Sequence, residues 1–109
     1  MSEFVVAYVT VGSAEEGGRL SYTLVEERLA ACVNRIRQVQ SVYRWEGKIE
    51  ESNEELLIIK TKRELFPRLK QRIRELHSYA VPEIIALPIL EGHASYLEWL
   101  DEQLLKIRK

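Results

Sequence analysis

The stretch "YRWEGKIEESNEELLIIKT", Tyr43 to Thr61, decides how this chain folds. It reads as two strands joined by a turn, with aromatic residues Tyr43 and Trp45 on its first arm. The polar run "EESNEE" (Glu50–Glu55) reads as the turn, with Asn53 supplying turn chemistry, and Gly47 as a bend. "LLIIKT" (Leu56–Thr61) then reads as a buried third strand. A two-stranded ribbon this long is marginal in water unless something pairs with it. The ribbon therefore points beyond its own subunit.

Working back from Tyr43, "CVNRIRQVQSVYRW" (Cys32–Trp45) is the second strand. Ile36 has one parity, while Val39, Tyr43 and Trp45 have the other. A period of two cannot change phase without a bulge, which is placed at Arg37 and Gln38. "FVVAYVTV" (Phe4–Val11) is apolar throughout and rich in β-branched residues, as suits a central strand. Between these strands lies a helix. Ser13 is its cap, Glu15 and Glu16 lie in the first turn, and Leu20, Leu24, Val25 and Leu29 form its stripe. Gly17 and Gly18 are expected to loosen that first part, at about 1 kcal/mol each relative to Ala.

Beyond the ribbon, a second helix spans about Arg63 to Leu76, with Leu65, Leu69, Ile73 and Leu76 inside and Pro67 in the first turn. "HSYAVPEIIALPIL" (His77–Leu90) holds a loop and a fourth strand, and Pro88 puts that strand at an edge or a bulge. A third helix follows, with Ser95 to Glu98 as a capping box and Leu97, Leu100, Leu104 and Ile107 as its stripe. The order β-α-β-β-α-β-α predicts an α+β, ferredoxin-like sheet with helices on one face, in a single domain over residues 1–109. Its other face is apolar and uncovered. A second copy of the chain is the economical cover.

The totals agree with this picture. The chain has 109 residues, 46% hydrophobic and 30% charged, with 16 basic and 17 acidic residues and a net charge of −1. No run of one sign predicts a nucleic-acid or membrane surface. No apolar run is long enough to span a bilayer, and the start does not read as a signal peptide. One cysteine allows no internal disulfide and fits a reducing, cytoplasmic setting. There is no G-x-S-x-G, P-loop or dinucleotide fingerprint, so an enzyme is not expected.

Five blocks together carry a family likeness: "LVEERLAACVN" (Leu24–Asn34), "SVYRWEGKIEE" (Ser41–Glu51), "LLIIKT" (Leu56–Thr61), "VPEIIALPI" (Val81–Ile89) and "YLEW" (Tyr96–Trp99). They resemble the signature blocks of the CutA divalent-ion-tolerance proteins, in order and over essentially the whole chain. The resemblance implies a homotrimer of ferredoxin-like subunits, similar in architecture to the PII signalling proteins, whose ribbons pair across subunits. It also implies association with copper and other divalent ions and no established reaction. Two stretches depart from the family pattern. Arg37 and Gln38 stand where it usually has Pro-Gly, and Ala80 stands where it usually has a glutamate, which removes one carboxylate.

The candidate site residues follow. Cys32 is either a soft ligand for copper or zinc or a small buried residue. His77 is either a ligand or a partner for the last carbonyls of the second helix. With Glu83 these form the candidate metal set, and His93 is an exposed site for opportunistic copper. If the ribbon packs over a neighbour's fourth strand, Tyr43, Trp45, Lys60, Tyr79 and Glu83 converge. Lys60, Tyr79 and Glu83 are then a cleft for a small anion or metal, and Tyr43 and Trp45 are trimer-interface residues. No cofactor is obligatory, with Cu2+ or another divalent cation as the candidate ligand. The leading expectation is a non-catalytic homotrimer for metal tolerance. The rivals are a PII-like signalling or scaffold trimer and an engineered trimer whose role is assembly.

Overall fold

The computed structural model describes residues 3–107. It places β1 at Phe4–Val11, α1 at Ala14–Glu26, β2 at Cys32–Trp45 and β3 at Lys48–Lys62. A short 3-10 turn at Arg63–Leu65 leads into α2 at Phe66–Leu76, followed by β4 at Ile84–Pro88 and α3 at Ala94–Gln103. The four strands form one antiparallel sheet in the order β2-β3-β1-β4. β4 is an edge strand, so Pro88 costs no interior ladder bond.

Alternation along β1 sorts the two faces. Val5, Ala7, Val9 and Val11 are buried, and the last three pack with Leu57 and Ile59 of β3 against Leu20 and Leu24 of α1 and Leu69 and Ile73 of α2. A second cluster joins Ala31, Leu65, Leu100 and Leu104, which seats α3. Val25, expected in the α1 stripe, is exposed instead. The opposite sheet face carries Val6, Tyr8, Leu56, Ile58, Ile85 and Leu87 from three neighbouring strands. Among the described residues, the core clusters that seat the helices include none of these six side chains.

The strand turn lies at Glu46–Gly47, not in "EESNEE". Both residues have positive φ (50° and 81°), and Trp45 pairs directly with Lys48. Glu50–Glu55 is therefore strand: its residues are all polar, so no apolar alternation reveals it. The ladder shifts register between Ile36 and Val39, with Gln38 at φ 59°. One extra residue there puts Ile36, Val39, Tyr43 and Trp45 opposite Leu56, Glu54, Glu50 and Lys48, all of one parity on β3. β1 pairs with β3 only as far as Glu55. From Val39 to Glu54 the ribbon has no third strand and projects about 20 Å. The molecule is accordingly elongated, 44 × 26 × 24 Å. Its radius of gyration is 14.5 Å, against about 13 Å for a compact chain of this length.

The paired glycines of α1 have a packing reason. A Cβ on Gly17 would overlap the Glu55 carboxylate. That carboxylate is 3% exposed and accepts two hydrogen bonds from Arg35, Nε at 2.6 Å and a terminal nitrogen at 3.3 Å. The helix is capped as expected, with Ser13 Oγ accepting from Glu16 N at 3.1 Å. The capping box at Ser95 does not form. α3 starts at Ala94 with His93 at the cap position and no side-chain capping bond.

Candidate functional site

The cleft forms where β1 stops and the ribbon continues. Glu54 is the first β3 residue beyond the β1 ladder, and Tyr79 stands beside Gly12 at the β1 terminus. The loop after α2 wraps round this end, and the ribbon forms the opposite wall. The resulting space is about 610 Å3. Its aromatic walls are Tyr43, Trp45 and Tyr79, and Val42, Ala80 and Val81 add apolar surface. Its oxygen donors come from Thr10, Ser41, Glu54 and Glu83. No lysine or arginine lines it.

A chain of polar bonds fixes the wall that carries Tyr79. The Tyr79 hydroxyl donates to Glu54 Oε2 at 2.8 Å. Glu54 is only 8% exposed although it is an acid at the root of the ribbon. Burial, and then the negative charge of Glu54, push the Tyr79 phenol up to about 12, so it stays a hydrogen-bond donor through neutral pH. Behind it, the Tyr79 backbone N–H donates to His77 Nδ1 at 3.0 Å, and His77 Nε2 lies 2.8 Å from the Thr10 carbonyl oxygen. The carbonyl can only accept, so Nε2 donates to it, and both ring nitrogens are occupied. Ser78 donates to Glu16 through its backbone N–H and its hydroxyl, each at 2.9 Å. Burial alone would raise the Glu16 pKa, but the Ser78 bonds, the nearby His77 and the Gly12 N–H outweigh it and hold the carboxyl below its usual range.

Tyr43, Trp45, Tyr79 and Glu83 line one cleft within the single subunit, whereas the sequence led us to expect them to converge across a subunit boundary. Lys60 does not join them. It lies six residues from Glu54 along β3, about 20 Å away, opposite Cys32 and hydrogen-bonded to Asn34. Without its amine, the cleft of the single subunit is lined by the carboxylates Glu54 and Glu83. The expected metal set of Cys32, His77 and Glu83 is not assembled within the subunit either. His77 is buried behind Tyr79 with its nitrogens taken, and Cys32 lies at the Lys60 end of the sheet. Among the described residues, no group of three or more His, Cys, Asp or Glu is placed to hold a metal ion. Tyr43 and Trp45 stay 42% and 49% exposed, large apolar surfaces left open by the single chain.

Glu54 escaped the sequence reading because it was assigned to a turn. The acidic pair Glu54-Glu55 carried the missed signal. Two adjacent strand residues point to opposite faces, so one acid supports Arg35 under α1 and the other faces the cleft.

The family model for the CutA1 divalent ion tolerance protein matches residues 5–103. The chain belongs to the CutA1 family. It is 52% identical over 97 residues to the divalent-cation tolerance protein CutA of Thermus thermophilus, covering 89% of this chain and 94% of that one. It is 51% identical over 96 residues to the chloroplastic protein CutA of Arabidopsis thaliana, where the match spans 88% of this chain and 53% of the plant protein. The crystal structure of CutA1 from Oryza sativa superposes with a TM-score of 0.95 at 46% identity, covering 97% of each chain.

Proposed function

We propose that this CutA1-family chain is a ferredoxin-like, homotrimeric, non-catalytic protein of divalent-cation tolerance that acts by binding. The observation that carries this reading is the cleft at the root of the ribbon. Two carboxylates, Glu54 and Glu83, face it and no cationic side chain balances them. Such a cleft draws cations and repels anions. The donors of one subunit are hard oxygens and fall short of a full coordination shell. A directly bound ion such as Cu2+ then takes its remaining ligands from water or a neighbouring subunit. Homotrimerisation is supported by the overhanging ribbon and the uncovered apolar sheet face, which together leave a single subunit with too much exposed apolar surface. The free thiol of Cys32 supports a reducing, cytoplasmic setting.

The test is calorimetric titration with Cu2+ and with Zn2+ on wild type, Glu83→Gln and Glu54→Gln, with the mass read by light scattering. The expected result is a trimer with saturable binding near micromolar, about 8 kcal/mol, that weakens in both variants. A trimer with no saturable metal binding would overturn direct ion handling and leave the PII-like scaffold or sensor.

A further inference from the structure

We propose that the cleft is a receptor for an organic ammonium ion, a protonated alkylamine or a quaternary ammonium group, held between the rings of Tyr43, Trp45 and Tyr79 with Glu54 and Glu83 as counter-charge. This rests on the cation-selective reading of the cleft and adds the class of cation that fits it. Three observations favour it over a bare metal ion. The cleft supplies aromatic surface from both of its walls, the ribbon and the Tyr79 loop. An ammonium ion gains from the negative faces of aromatic rings once it leaves water, most of all from tryptophan. A divalent metal gains from many close oxygen or nitrogen donors instead, and among the described residues no three His, Cys, Asp or Glu are gathered to supply them. The volume of about 610 Å3 lies in the range of small-molecule pockets, far larger than a single ion needs.

The polar atoms are also arranged for this task. Glu54 is nine-tenths buried, and its Oε2 is held by the Tyr79 hydroxyl, so the counter-charge is fixed and Tyr79 is oriented by the same bond. The Tyr43 hydroxyl lies 2.8 Å from Ser52 Oγ across the ribbon, which fixes the second ring. A neutral ligand of the same shape would leave both carboxylates without a counter-ion, and an anion would be repelled. The cleft thus discriminates by charge first and by apolar bulk second.

The experiment titrates the assembled protein with tetramethylammonium chloride and, separately, with tert-butanol, a neutral molecule of similar bulk. Ionic strength is held constant with sodium chloride. Binding is read by calorimetry and by tryptophan fluorescence, with light scattering confirming the mass. Saturable tetramethylammonium binding is expected, at least about tenfold tighter than tert-butanol. Glu54→Gln is expected to weaken it about tenfold or more, and Trp45→Leu by about tenfold, the size of a desolvated cation–π contact plus lost apolar area. Where Trp45→Leu alters the mass, Glu83→Gln takes its place, because Glu83 lines the cleft from the loop before β4 and not from the ribbon, and it is expected to weaken binding as Glu54→Gln does. Equal binding of the two probes, no saturable binding to the intact assembly, or a Glu54→Gln variant that binds as wild type does would each overturn the proposal. Metal binding without tetramethylammonium binding refutes this inference and leaves the metal reading standing. Tetramethylammonium binding without metal binding does the reverse.

Discussion

Replacing Gly17 and Gly18 one at a time by alanine sets helix propensity against packing at adjacent positions. Alanine stabilises a helix interior by up to about 1 kcal/mol relative to glycine. At Gly18 nothing opposes this gain. A Cβ there would meet only the Arg35 guanidinium, at 3.5 Å, which is ordinary contact. Gly18→Ala is therefore expected to stabilise by about 0.5–1 kcal/mol. At Gly17 the same Cβ overlaps the Glu55 carboxylate and must push it off Arg35. Breaking a buried ion pair costs about 3–5 kcal/mol when one charge is stranded. Here Arg35 is 30% exposed and retains a bond to the Ala14 carbonyl oxygen, so about 2–3 kcal/mol is the better figure. Subtracting the propensity gain leaves Gly17→Ala destabilised by about 1–2 kcal/mol, roughly 5–10 °C in Tm for a domain of this size. The assay is thermal and denaturant unfolding at fixed protein concentration, because assembly makes stability concentration-dependent. In a Glu55→Ala background the Gly17→Ala penalty should vanish, since nothing is left to displace. A Gly17→Ala protein as stable as Gly18→Ala would show that the carboxylate relocates without cost, and the packing account of the paired glycines would be wrong.

Three further outcomes are expected. Gln38 sits at the bulge with φ 59°, a conformation that costs a residue with a Cβ about 1 kcal/mol, so Gln38→Gly should raise stability by about that amount in denaturant unfolding. Glu16 has a folded pKa below its ordinary value of 4.5, so its stabilisation is present above the unfolded value and is lost as pH falls through the folded one. Wild type minus Glu16→Gln stability should therefore shrink on acidification below about pH 4.5, and a constant difference down to pH 3 would contradict the network at Ser78. Trp45→Ala should reduce the assembled mass in light scattering, and an unchanged trimer would remove Trp45 from the interface.

The fold was legible wherever burial left a period in the sequence. The inner stripe of α2 repeats because one side of it faces the core, and β1 was readable as an unbroken apolar run whose alternate residues are buried. Even the bulge at Gln38 was readable, since Ile36 and Val39 fall out of phase and only an extra residue reconciles them. The ribbon beyond Val39 was not readable in the same way. Glu50 to Glu55 is polar throughout, and even its buried members Glu54 and Glu55 are acids held by Tyr79 and Arg35, so its strand character leaves no hydrophobic trace and resembles a loop. That single misplacement hid Glu54, the buried acid of the cleft. Lys60 and His77 failed for a different reason. Sequence shows residue types, but six steps along β3 carry Lys60 away from the cleft, and two hydrogen bonds turn His77 from a possible ligand into the brace behind Tyr79.

The ribbon and the cleft are one device. Two cleft walls, Tyr43 and Trp45, sit on a stretch of two strands with no third, the arrangement least able to hold its shape alone. The other wall, Tyr79, is braced through His77 and Glu16 to the rigid ends of β1 and α1. A cation in the cleft would bind both walls at once, the ribbon and the Tyr79 loop. Whatever orders the ribbon, a neighbouring copy above all, lowers the entropic cost of that binding. By reciprocity the bound cation must tighten assembly by the same factor. Dissociation of the oligomer on dilution, measured with and without tetramethylammonium at constant ionic strength, should therefore shift to lower protein concentration when the cleft is filled, and the shift should vanish in Glu54→Gln. An identical dissociation curve under both conditions would mean that the ribbon is already rigid in the lone subunit and that site and assembly are independent.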